Sequence, residues 1–112
     1  MKRIAAVVRP EMLEPLKEAL FEAKITGMTI YQVHGCGNQM GWKEYFRGSE
    51  IFLNMIPKIK FEIVVDDDRV DELVDIILRT VRTGEVGDGK IFVSDIERVV
   101  RVRTGEEDQA AV

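Results

Sequence analysis

The sequence holds one cysteine, Cys36, one histidine, His34, and one tryptophan, Trp42. A lone cysteine excludes an intrachain disulfide and leads us to expect a reducing, cytoplasmic setting. One Cys and one His also exclude a Cys/His metal cluster. Both read better as strand packing or cleft lining than as ligands. A Ser–His–Asp set and a Cys–His pair are missing, and a single imidazole supplies little acid–base capacity, so an enzyme is not expected. No apolar run reaches the roughly 18 residues that a membrane span needs. The opening Met1-Lys2-Arg3-Ile4 is basic, but its apolar stretch stops at Arg9-Pro10. That is short for a secretory signal and reads better as a strand.

Positive charge is also scarce. Sixteen Lys and Arg stand against 20 Asp and Glu, for a net charge of −4, which argues against general nucleic-acid binding. The acids crowd at Asp66-Asp67-Asp68, Asp71-Glu72 and Glu106-Glu107-Asp108. Lys58, Lys60, Lys90, Arg98, Arg101 and Arg103 stand apart from them. An acidic chain that keeps such a basic set suits a small anion, and the plainer reading is solvated surface charge. A length of 112 residues suits a single domain over residues 1–112 with one core.

The pattern is repeated within the chain. Ile4 to Val8 reads as a strand. Leu13, Leu16 and Leu20 follow at helical spacing, with Pro15 tolerable only in the helix's first turn. Thr26-Gly27 breaks the helix, and Met28 to Val33 reads as a second strand. Phe61 to Val65 is then a strand, Asp67 or Asp68 a candidate helix cap, and Val70, Leu73, Val74, Ile77 and Val81 one helical face. Thr83-Gly84 ends it. A shift of 57 lays Val8 on Val65, Leu13 on Val70, Leu16 on Leu73, Leu20 on Ile77 and Thr26-Gly27 on Thr83-Gly84. Two βαβ units of this size predict an α+β, ferredoxin-like sandwich with both helices on one sheet face. Apolar residues at alternate strand positions suggest that the other face is covered by further subunits.

Between the second and third strands lies a long insertion, residues 37–56. It is punctuated by Gly37, Gly41 and Gly48 and carries Trp42, Tyr45, Phe46, Ile51, Phe52, Leu53 and Met55. Loops of this length are usually functional or disordered, and disorder comes with few aromatics. A mobile partner-binding arm is the leading reading. An extended hairpin packed within an oligomer and a plain linker are the alternatives.

Thr83-Gly84-Glu85-Val86-Gly87-Asp88-Gly89-Lys90 is the most informative stretch. Glycines expose backbone N–H groups, and a concave run of them holds anions, with Lys90 as an added charge. The spacing matches a P-loop formally. However, Ile91 stands where Ser or Thr would bind magnesium, and the stretch runs from helix into strand, the reverse of the P-loop context. Alone it reads as a helix stop and a turn. Arg101 and Arg103, two apart, would face one side of a strand, and guanidinium forks suit phosphate oxygens. A solvated strand face is their plainer reading. Together these features favour a polyphosphate site.

Several separated segments, in order, resemble the PII nitrogen-regulatory signal proteins. They are Thr26-Gly27-Met28-Thr29, Phe46-Arg47-Gly48-Ser49-Glu50 in the family's T-loop, Thr83 to Val93, and Arg101-Val102-Arg103-Thr104-Gly105-Glu106. The resemblance covers nearly the whole chain. It implies a homotrimer with nucleotide sites between neighbours, where ATP and ADP compete. Thr29, Gly35, Gly37, Asn38, Gln39, Glu62 and Val64 would border the nucleotide. Gly87, Asp88, Gly89 and Lys90 would lie at the phosphates, with Arg101 and Arg103 reaching over from the adjacent subunit. Magnesium-ATP would admit 2-oxoglutarate, with Gln39 as a metal ligand and Lys58 pairing with an oxoacid carboxylate. The T-loop, with Trp42, Tyr45, Phe46, Arg47, Ser49 and Ile51, would dock on an ammonium channel, glutamine synthetase or another nitrogen-metabolism protein. No nucleic-acid partner and no membrane insertion are expected. Ile51 stands where members regulated by uridylylation carry tyrosine, and Asn38 where many carry arginine. Ser49 is phosphorylated in some relatives. The competing functions are a slow ATP hydrolase and a ligand-independent structural trimer.

Overall fold

The structure, a computed structural model, describes residues 1–36, 42–46, 49–53 and 55–112; for 42–46 and 49–53 the backbone alone is described. β1 (Lys2–Val8) leads through a short 3-10 turn into α1 (Leu13–Glu22) and then β2 (Thr29–Gly35). β3 (Trp42–Phe46) and β4 (Ser49–Leu53) come next, followed by β5 (Ile56–Val65), α2 (Val70–Val81) and β6 (Gly89–Asp95). The main sheet has the order β2-β5-β1-β6, and every neighbouring pair is antiparallel. This is the ferredoxin-like arrangement expected from two βαβ halves.

The internal repeat is literal. β1 and β5 end at Val8 and Val65, and α1 and α2 begin at Leu13 and Val70, each pair separated by the same offset. Pro15 falls in the first turn of α1, where its missing N–H costs nothing. Neither helix receives a side-chain cap. The Asp67 carboxylate instead accepts from the Met1 amine at 2.7 Å.

Strand alternation separates two faces. Ile4, Ala6 and Val8 of β1 and Ile59, Phe61, Ile63 and Val65 of β5 are buried with Leu16, Leu20, Leu73, Ile77 and Val81 from the helices. Burying an aliphatic side chain of this size contributes about 1.5–3 kcal/mol, so this helix-covered face holds the core. The opposite face carries Thr29, Tyr31 and Val33 of β2, paired in register with Glu62, Lys60 and Lys58 of β5. Lys90 stands there too, across Val7 from Lys60.

Several boundaries differ from expectation: β1 begins at Lys2, before Ile4, and β2 runs Thr29–Gly35 in place of 28–33. β5 begins at Ile56, not Phe61, because Ile56 to Ile59 pair with β2 before β1 joins at Ile59. The insertion also contains a hairpin of its own, in which Trp42 pairs with Leu53 and Phe46 with Ser49, in a separate two-stranded sheet. Among the described residues no helix is long and apolar enough to cross a membrane.

Candidate functional site

One end of the main sheet gathers the chemistry. There β1 and β2 finish and β5 and β6 begin, so Val8 is opposite both Ile59 and Gly89, and Val33 is opposite Lys58. Lys58 is only 8% exposed. Its ammonium donates to the Gly87 carbonyl at 2.5 Å, and its stem lies 3.4 Å from where a side chain on Gly35 would start. The sheet end therefore joins Gly35, Lys58 and the glycine segment in one place. Lys90, exposed, follows as the second residue of β6.

The glycine segment is shaped from within. Asp88 turns its carboxylate inward, where it accepts from the N–H groups of Thr83 and Gly84, both at 2.8 Å, and from the Thr83 hydroxyl. These bonds, the Thr83 hydroxyl first, hold the carboxyl well below the usual range, at about 2. Asp88 is thus a loop staple: its carboxylate is engaged within the segment, and its own N–H donates to the Glu85 carbonyl at 3.4 Å. Gly89 makes close strand contact possible. Its φ is +113°, and a β-carbon there would lie 1.7 Å from the Val7 carbonyl oxygen.

Further along the same open face lies a second polar group. The Tyr31 hydroxyl donates to Glu62 at 2.7 Å, and the Lys60 ammonium lies 3.4 Å from the same oxygen and 5.5 Å from the Tyr31 ring centre. Tyr31's hydrogen bond, then Lys60, lowers the pKa of Glu62. Thr29 is directly opposite Glu62, and Val64 is opposite Arg3. Lys58 and Glu62 are four residues apart on β5, a separation of about 13 Å along a strand.

Arg101 and Arg103 are not on a strand. The chain bridges at Val100 and Glu107 and turns between them, with the Arg101 N–H on the Glu106 carbonyl and the Gly105 N–H on that of Arg101, both at 2.8 Å. Gly105, at φ +73°, provides the left-handed residue that closes the turn and rules out strand alternation. The Arg101 guanidinium lies 3.8 Å from Glu106, and Val102, between the two arginines, is wholly exposed. Gly37, Asn38, Gln39 and Arg47 lie outside the described residues, as do the side chains of Trp42, Tyr45, Phe46, Ser49 and Ile51. Among the described residues no three His, Cys, Asp or Glu side chains gather to hold a metal.

Sequence reasoning passed over one participant. Arg9 follows the last residue of β1 and donates to the Val86 carbonyl at 2.8 Å and to Asp88 at 3.4 Å. Its only sequence signal is position, immediately after a strand that ends beside Gly89.

The model of the family described as nitrogen regulatory protein P-II matches residues 1–106. The chain is 54% identical to nitrogen regulatory protein P-II 1 of Escherichia coli (strain K12), with all of both chains covered. It is also 54% identical to nitrogen regulatory protein P-II of Klebsiella oxytoca and 48% identical to that of Pasteurella multocida (strain Pm70), again over the full length of each.

Proposed function

The chain belongs to the nitrogen regulatory protein P-II family, and from that premise we propose that it binds ADP or ATP at the Lys58–Gly87 sheet end and reports the bound ligand to partner proteins. The observation that carries this reading is the meeting of a buried lysine with a glycine-rich turn that ends at Gly87, three residues before Lys90. A polyphosphate needs backbone N–H groups and cations close together, and a glycine-rich turn beside Lys58 and Lys90 suits that need. Thr29 and Glu62 share the open face about 13 Å away along β5, with Val64 about 20 Å away, a layout that suits a base at one end and phosphates at the other.

Arg101 and Arg103 flank an exposed residue on a turn that stands outside the sheet. That placement suits a contribution from one copy to the site of its neighbour, in a homotrimer whose open sheet faces cover one another. Magnesium held by the phosphates and Gln39 would let a dicarboxylate, 2-oxoglutarate, sit beside ATP despite their like charge. Lys58 then has two acceptors to choose between, the Gly87 carbonyl and an oxoacid carboxylate. The insertion with Trp42, Tyr45, Phe46, Arg47, Ser49 and Ile51 is the partner-binding arm. Its partner is an ammonium channel, glutamine synthetase or another nitrogen-metabolism protein. The role is regulatory, in the cytoplasm, without turnover as its purpose.

Titration of ADP into the wild-type chain and Lys90→Ala tests the site. A charge-assisted phosphate contact is worth about 1.5–3 kcal/mol, so Lys90→Ala should bind ADP about tenfold or more weakly. Equal affinity would place the phosphates elsewhere.

A further inference from the structure

The glycine segment faces a problem of orientation. A peptide unit is planar and trans, so its C=O and the following N–H point in opposite directions. At Gly87, with φ +102°, such units turn over at little steric cost. A phosphate is attracted by the N–H groups and repelled by the carbonyls, so a segment free to flip would present either.

The protein fixes the choice with two cations. Arg9 Nη2 takes the Val86 carbonyl at 2.8 Å, and Lys58 takes the next one, that of Gly87, at 2.5 Å. Consecutive carbonyls are thereby drawn inward, which turns the Gly87 N–H away from Arg9 and the Asp88 N–H away from Lys58, toward the Glu85 carbonyl at 3.4 Å. Arg9 Nε also reaches the Asp88 carboxylate, at 3.4 Å, which itself gathers the N–H groups of Thr83 and Gly84. The Arg9 and Asp88 side chains are 23% and 20% exposed, so the pair is sheltered from solvent screening better than most surface ion pairs.

We propose that Arg9 is a positioning residue for the phosphate-binding turn: it sets the orientation of the peptide units between Val86 and Asp88 and touches no ligand itself. This rests on the nucleotide reading above. Lysine is a poor substitute, because one ammonium lacks the planar fork that serves a carbonyl and a carboxylate together.

The test compares ADP with adenosine, which has the base and sugar but no phosphate, by calorimetry on wild type, Arg9→Met and Arg9→Lys. Arg9→Met should weaken ADP binding by about tenfold and leave adenosine binding unchanged. Arg9→Lys should recover part of the loss. Amide hydrogen exchange should speed up at residues 84–88 in Arg9→Met and remain at wild-type rates in α2 and β5. If Arg9→Met does not fold, Arg9→Lys decides, with weaker ADP binding and wild-type adenosine binding expected. Unchanged ADP affinity, or equal losses for ADP and adenosine, would overturn the proposal while the nucleotide reading stands. A wild-type chain that binds no ADP would overturn both.

Discussion

The Lys58 ammonium and the Gly87 carbonyl oxygen are 2.5 Å apart, joining the start of a central strand to the turn that precedes β6. Because Lys58 is buried, removing its amine strands an acceptor. Lys58→Met should lower stability by about 1–3 kcal/mol, measured by urea unfolding. It should also lose the oxoglutarate binding proposed above. Unchanged stability would show that the Gly87 carbonyl is satisfied without Lys58.

Asp88 predicts an acid limit. Its carboxyl titrates at about 2 in the folded chain, against about 3.9 for an unperturbed aspartate. Between these values the unfolded chain binds more protons than the folded one. The contribution of Asp88 to stability is therefore complete above about pH 4 and lost as the pH falls toward 2. Carboxyl NMR should find Asp88 titrating near the lower value, and Thr83→Val should raise it, because the Thr83 hydroxyl is the largest cause of the shift. An Asp88 that titrates near 4 in the wild-type chain would contradict the staple.

Gly89 admits no side chain. Gly89→Ala would combine a left-handed φ with a β-carbon 1.7 Å from the Val7 carbonyl. The expected cost is about 3 kcal/mol or more, since β6 must leave β1 to relieve the clash. Thermal unfolding measures it. A drop of under about 0.5 kcal/mol, the range of surface changes, would show that the strand start is not tightly held.

The fold was legible because the apolar spacing does two jobs. Leu16, Leu20, Leu73 and Ile77 repeat at helical intervals and are the residues that are buried. The Thr-Gly breakers mark where each helix must stop. The glycine segment was legible for a similar reason, since few sequences need so many left-handed positions together. Arg9 was not, because its partners lie 77 and 79 residues away and no local pattern links them. Arg101 and Arg103 misled: their spacing imitates strand alternation, and the turn depends on Gly105 and on carbonyls that only the folded chain supplies. A hairpin is one of the readings open to the insertion, but the register of β3 and β4 comes from backbone pairing that mixed aromatic and charged residues do not announce.

Ile51 has no hydroxyl, so no phosphodiester can form at that position. Intact-mass spectrometry of protein from nitrogen-replete and nitrogen-starved cells should show no nucleotidyl adduct in either. An adduct on Tyr45 that follows the nitrogen supply would contradict signalling through ligands alone.

If an adenine nucleotide gates an oxoacid at this sheet end, as proposed, calorimetry with 2-oxoglutarate will report it. The titration is run into the chain alone, with ADP, and with magnesium and ATP. Heat of binding is expected only in the last case, and its loss in Lys58→Met. Oxoglutarate binding to the nucleotide-free chain, or none with magnesium-ATP, would contradict the proposal.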